Sequence, residues 1–121
     1  MAKILLAEDD TSMRQFLLLA LRKAGHIVTD CEDGLAALKH IEAEDSSFDL
    51  LLSDIVMPGM DGIELAQKAN EKFPDLKVMF ITGFAAVAMG DNNEVTKDAK
   101  VLSKPFHLND LVNQVNTLLA S

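Results

Sequence analysis

The sequence predicts an α/β domain: a mostly parallel sheet with helices on both faces. Three observations predict it. Apolar runs alternate with helical stretches five times along 121 residues, which implies right-handed crossovers between parallel strands. The run Leu50-Leu51-Leu52 lacks polar alternation, as suits a strand buried on both faces. Finally, apolar runs end directly before Glu8-Asp9-Asp10, Asp54, Thr82 and Lys104-Pro105. The C-terminal strand ends of such a sheet converge on one crevice, where strand order reverses.

The elements follow in order. Residues 3–7 read as a first strand. Residues 11–24 read as a helix, with Asp10 or Thr11 as N-cap and Gly25 as its stop. Its expected core face is Phe16, Leu17, Ala20, Leu21 and Ala24, with Met13, Leu18 and Leu19 off that face. Residues 27–31 form a weaker strand, and residues 34–43 a helix with Leu35, Leu38 and Ile41 on one face. Asp45-Ser46-Ser47 is a turn, and residues 49–53 are the third strand. Met57-Pro58-Gly59 breaks the chain, and Asp61 caps a helix running to about Phe73. After the turn at Pro74-Asp75, residues 77–81 are the fourth strand. A short helix is expected at residues 84–89, ended by Gly90-Asp91-Asn92-Asn93. Residues 100–103 are the fifth strand, and residues 107–119 the last helix, with Leu108, Leu111, Val112, Val115, Leu118 and Leu119 at helical spacing.

Composition narrows the function. The length fits a single domain over residues 1–121 with no output domain, and an apolar share of 49% is enough for a real core. No apolar run approaches the roughly 20 residues that span a bilayer, and Met1-Ala2-Lys3 leads straight into a strand, with no signal peptide. Cys31 stands alone, which excludes an internal disulfide and fits a cytoplasmic setting. Its expected place is the core, as is that of Met57, Met60, Met79 and Met89. His26, His40 and His107 lack metal-ligand spacing. A formal net charge of −8 argues against nucleic acid as a partner.

The expected crevice carries chemistry. Glu8, Asp9 and Asp54 are hard oxygen donors suited to a cation such as Mg²⁺ or Mn²⁺ and poorly suited to zinc. An ordinary carboxylate is ionised at neutral pH, so as a nucleophile Asp54 needs no general base. Thr82 and Lys104 offer a hydroxyl and an ammonium to phosphoryl oxygens. Taken singly, each has a plainer reading: a solvated capping turn, a β-branched strand end, a surface lysine. Together they describe a phosphoryl-accepting site.

With those residues placed, the whole chain resembles the receiver domain of two-component response regulators, the CheY-like family. The resemblance rests on Ile4-Leu5-Leu6-Ala7-Glu8-Asp9-Asp10, on the stretch from Leu52-Ser53-Asp54 through Met57-Pro58-Gly59 to Glu64-Leu65, on Ile81-Thr82-Gly83, and on Ser103-Lys104-Pro105-Phe106. It implies a flavodoxin-like three-layer fold with a five-stranded parallel sheet of order 2-1-3-4-5. It implies that Asp54 accepts a phosphoryl group from a histidine kinase or histidine phosphotransferase. It further implies that Glu8 (through water), Asp9, Asp54 and the Val56 main-chain carbonyl hold Mg²⁺, that Thr82 and Lys104 bind phosphoryl oxygens, and that the bond before Pro105 is often cis. The resemblance also implies a domain that is not an enzyme beyond catalysing its own phosphorylation and dephosphorylation. Closer in, the chain resembles the stand-alone CpdR-type regulators of alphaproteobacteria. That implies a phosphorylation-controlled adaptor for the ClpXP protease in regulated proteolysis and the cell cycle, a monomer or weak dimer away from membranes. The alternative is a phosphate intermediate or sink in a phosphorelay.

Two departures stand out. Val101 occupies the place of an aromatic switch residue of many receivers, so output is expected to run through the segment after Thr82. Val56 and Phe84 are apolar where the family flanks the path of the hydrolytic water, and are expected to shield the acyl phosphate. A phosphatase of the haloacid dehalogenase type would need a second acid at the Val56 position. A flavodoxin would need a Ser/Thr-rich phosphate loop in place of Glu8-Asp9-Asp10.

Overall fold

The computed structural model describes residues 2–43, 47–83 and 99–120. The short helix expected at residues 84–89, the stretch from Gly90 to Asn93, Phe84, Met89, Asp45 and Ser46 lie outside the described residues. The described elements are β1 (Lys3–Ala7), α1 (Thr11–Lys23), β2 (Ile27–Cys31), α2 (Gly34–Glu42), β3 (Leu50–Asp54), α3 (Gly62–Lys72), β4 (Lys77–Thr82), β5 (Lys100–Ser103) and α4 (Leu108–Ala120).

All strands pair in parallel in one sheet, in the order β2-β1-β3-β4-β5. The chain leaves β1 toward β2, then crosses back to β3 and continues the other way. The strand order therefore reverses between β1 and β3, and the crevice for a ligand opens at their C-terminal ends.

Alternate strand residues feed two cores. Leu5, Ala7, Leu51, Val78 and Phe80 face the layer of α2 and α3. Ile4, Leu6, Leu50, Leu52, Met79 and Ile81 face α1 and α4. This two-sided burial explains the unbroken leucine run of β3, every residue of which is buried. Cys31 lies in the first core, where burial pushes its thiol up to about 12, an inert packing residue.

Helix ends follow local chemistry. The carboxylates of Asp10, Asp33 and Asp61 accept from the main-chain N–H groups of Met13, Ala36 and Glu64. Each thus satisfies an orphan donor of the first turn. Asp10, not Thr11, is the N-cap of α1. At the other end Gly25 takes φ 98°. Its N–H bonds to the Arg22 carbonyl, and that of His26 to the Leu21 carbonyl, a paired closure that needs the left-handed conformation.

Two helix faces differ from expectation. On α1 the inward residues are Leu17 and Leu21, with Met13 and Leu18 packed beside them, whereas Phe16 is 49% exposed and Ala24 lies at the surface. On α2 the inward residues are Gly34, Ala37 and Ile41 with Leu38, while Leu35 is exposed.

Candidate functional site

The residues picked out from the sequence meet at the switch point. Glu8 and Asp9 follow β1 directly, Asp54 ends β3, Thr82 ends β4 and Lys104 follows β5. Sheet register carries these ends together: Ala7 lies opposite Ser53, Asp54 opposite Ile81, and Thr82 opposite Ser103.

Lys104 is the hub. Its Nζ donates to Asp54 Oδ2 at 2.8 Å and to Glu8 Oε1 at 3.0 Å. Its main-chain N–H donates to the Thr82 carbonyl at 2.9 Å, which continues the β4–β5 ladder past the strand end. The Lys104–Pro105 bond is cis. Glu8 is wholly buried, and its second oxygen accepts the Asp10 N–H at 3.3 Å. Asp54 turns Oδ1 back to the Ile55 N–H at 2.7 Å. Thr82 is fully buried, whereas Asp9 is exposed. The Val56 side chain is exposed on the loop beyond Asp54.

Electrostatics follow from burial. Loss of solvent pushes the Glu8 carboxyl up to about 7 against the Lys104 hydrogen bond, and the Asp54 charge adds to the rise. Burial acts to lower the Lys104 ammonium, but its bonds to Asp54 and Glu8 outweigh that, so its pKa is raised.

One oxygen each from Glu8, Asp9 and Asp54 lies within 4.8 Å of the others. Three carboxylates with no thiolate or imidazole fit a hard cation such as Mg²⁺ or Mn²⁺.

Three further residues shape the site without having stood out in the sequence. Arg14 Nη1 donates to the main-chain carbonyl of Glu8 at 2.8 Å. Ser53 Oγ donates to the Asp54 carbonyl at 2.7 Å. Gly62 packs so closely that a Cβ there would overlap that same carbonyl. The legible signals were faint: a cation near a helix start, a hydroxyl after the leucine run, a glycine opening a helix.

A concavity of about 720 Å³ opens at the opposite end of the sheet, between Phe48, Phe73 and His26. Several of its polar groups are engaged with one another or with main chain: His26 bonds to Asn116, and Lys72 to the carbonyls of Ile41 and Ala43.

Carboxylates, an ammonium and a hydroxyl at the open end of a 2-1-3-4-5 sheet define a signalling domain of the receiver class. Residues 4–116 match the response regulator receiver domain, and the chain belongs to that family. It is 59% identical over 119 residues to the response regulator receiver protein CpdR of Brucella abortus, covering 98% of each chain. It is also 34% identical to part of the sensor kinase CckA of the same organism, over 98% of this chain and 12% of that one. Among solved structures, the receiver domain of the hybrid histidine kinase CckA superposes with a TM-score of 0.82 at 32% identity, over 97% of this chain and 98% of that chain. A receiver protein of Sinorhizobium medicae gives 0.89 at 29% identity, over 99% and 95%.

The fold and the family are therefore those the sequence implied. Receiver domains are signalling domains that accept a phosphoryl group on aspartate, bind Mg²⁺ at an acidic pocket and interact with histidine kinases or phosphotransfer proteins. Among the described residues no helix is long and apolar enough to cross a membrane.

Proposed function

We propose that this chain is a single-domain, cytoplasmic response regulator that accepts a phosphoryl group on Asp54 and thereby changes its protein-binding surface. The observation that carries the reading is the Lys104 ammonium held 2.8 Å from Asp54 and 3.0 Å from Glu8, beside three converging carboxylates. An Asp54 oxygen forms the new O–P bond as the N–P bond of a phosphohistidine breaks, the imidazole leaving with the bonding pair. Lys104 and the Thr82 hydroxyl take phosphoryl oxygens. Glu8 (through water), Asp9, Asp54 and the Val56 carbonyl would hold Mg²⁺. That ion, when bound, offsets the repulsion between the carboxylate and the incoming group.

The output is a surface for another protein. The likeness to CpdR over nearly the full length of both chains supports a phosphorylation-controlled adaptor, with ClpXP as its target. A second reading, a phosphate intermediate or sink, draws on the likeness to the CckA receiver.

The test is intact mass after incubation with acetyl phosphate and Mg²⁺, for wild type and Asp54→Ala. Gain of one phosphoryl group by wild type alone, abolished by EDTA, is expected. Gain by the variant, or by neither protein even with a phosphohistidine donor, would refute the site. Capture of the protease by the unphosphorylated form alone separates adaptor from relay.

A further inference from the structure

Arg14 stands near the N-terminal end of α1, where the helix dipole disfavours a cation. Its side chain is nonetheless only 14% exposed. A hydrogen bond and an ion pair hold it there. Nη1 donates to the Glu8 carbonyl at 2.8 Å, and Nε lies 3.5 Å from Asp30 Oδ2. Asp30 belongs to β2, the neighbour of β1. One guanidinium therefore joins α1, the end of β1 and an edge strand.

The contact falls on an informative atom. The Glu8 N–H already donates to the Cys31 carbonyl at 3.1 Å, and the Glu8 side chain is held by Lys104 and the Asp10 N–H. The peptide unit between Glu8 and Asp9 is fixed through its carbonyl by Arg14. Rotation of that peptide would swing Asp9, the exposed member of the carboxylate cluster, away from its partners.

We propose that Arg14 is a positioning residue for cation capture: its guanidinium locks the Glu8–Asp9 peptide so that the Asp9 carboxylate stays in register with Glu8 and Asp54. The inference rests on reading those three acids as a cation site. It differs in sign from simple electrostatics. Removing a positive charge beside a cation site strengthens cation binding by Coulomb's law. Removing a positioning group weakens it, by an order of magnitude or more where outer residues orient metal ligands. A mere staple between α1 and the sheet would lower stability and leave affinity alone.

The experiment is a Mn²⁺ titration of the full chain followed by electron paramagnetic resonance, for wild type, Arg14→Met and Arg14→Lys. Melting of each in EDTA confirms that folded protein is being titrated. Arg14→Met should weaken Mn²⁺ binding by about tenfold despite the lost positive charge. Arg14→Lys keeps the charge but not the fork that reaches two acceptors, and should weaken binding in the same direction. Unchanged or tighter binding in either folded variant overturns the proposal, and Arg14→Lys decides it if Arg14→Met does not fold. Failure of wild type to bind Mn²⁺ would overturn the cation reading itself, and this inference with it.

Discussion

Gly62 shows how much of the site is held by residues without chemistry of their own. It opens α3 with its Cα against the Asp54 carbonyl, and its N–H donates to the Ile55 carbonyl at 2.8 Å. Gly62→Ala forces a methyl group into backbone that has no side-chain freedom to yield. Such overpacking costs about 1–3 kcal/mol, read as a lower denaturant midpoint, and phosphoryl uptake by Asp54 should fall with it. Gly25→Ala is the contrasting control. There a Cβ meets open space and only the left-handed backbone resists, so stability drops while uptake by the folded protein stays. Equal uptake in both variants would show that the Gly62 contact does not set the Asp54 position. The convergence of Glu8, Asp9, Asp54, Thr82 and Lys104 was legible in the sequence because each ends or follows a strand, and strand ends of a parallel sheet converge whatever the loops do. Gly62, Ser53 and Arg14 were not, because each acts on a main-chain carbonyl, and carbonyl directions leave no mark in residue identity.

At the scale of elements, the strands were more legible than the helix faces. Strand boundaries shifted by at most a residue, since buried runs bounded by turns leave little choice. The expected α1 stripe lies too far round the helix, because Phe16 and Ala24 face outward. Leu17, Leu21, Met13 and Leu18 fill the space over Ile4, Leu6 and Val28 instead, leaving Phe16 and Leu19 outward, the latter 69% exposed. Three residues apart, they share one face of the helix. That separates two substitutions that the sequence treats alike. Leu18→Glu puts a charge against the core and should destabilise the fold by a few kcal/mol. Leu19→Glu should leave stability within about 0.5 kcal/mol and acetyl-phosphate labelling intact. It should slow transfer from a phosphohistidine protein by about tenfold, the effect of some 1.4 kcal/mol at an interface. Stopped-flow or quench transfer assays with both donors check this. Equal rates from the protein donor would show that this exposed face of α1 does not dock the phosphohistidine protein.

For the whole molecule, the burial of Glu8 at the switch point predicts a coupling between stability and cation binding. Glu8 is buried there with a carboxyl raised from 4.5 to about 7. A raised folded-state pKa means that the folded chain binds this proton more tightly than the unfolded chain. The stabilisation is then complete below about pH 4.5 and is lost as pH rises through about 7, an effect on the order of 3 kcal/mol. Glu8→Gln cannot ionise, so this part of the slope should vanish in the variant. In EDTA, wild type should therefore lose stability relative to Glu8→Gln between about pH 4.5 and 7.5. Divalent cation should offset most of that relative loss. A cation that takes the ionised carboxylate displaces the proton, and at a concentration one hundred times its dissociation constant adds about 2.7 kcal/mol. Near pH 8 saturating Mg²⁺ should raise the wild-type midpoint by more than it raises that of Glu8→Gln, offsetting most of the loss seen in EDTA. Chemical denaturation of both proteins at several pH values, with EDTA and with Mg²⁺, reads both halves. Parallel pH curves in EDTA would show that burial does not govern Glu8. An equal Mg²⁺ gain in both proteins would show that the ion does not engage it. The expected larger Mg²⁺ gain in wild type would mean that the acid cluster is strained when empty and relaxed when filled. The cation would then tighten the sheet as well as prepare Asp54 for attack.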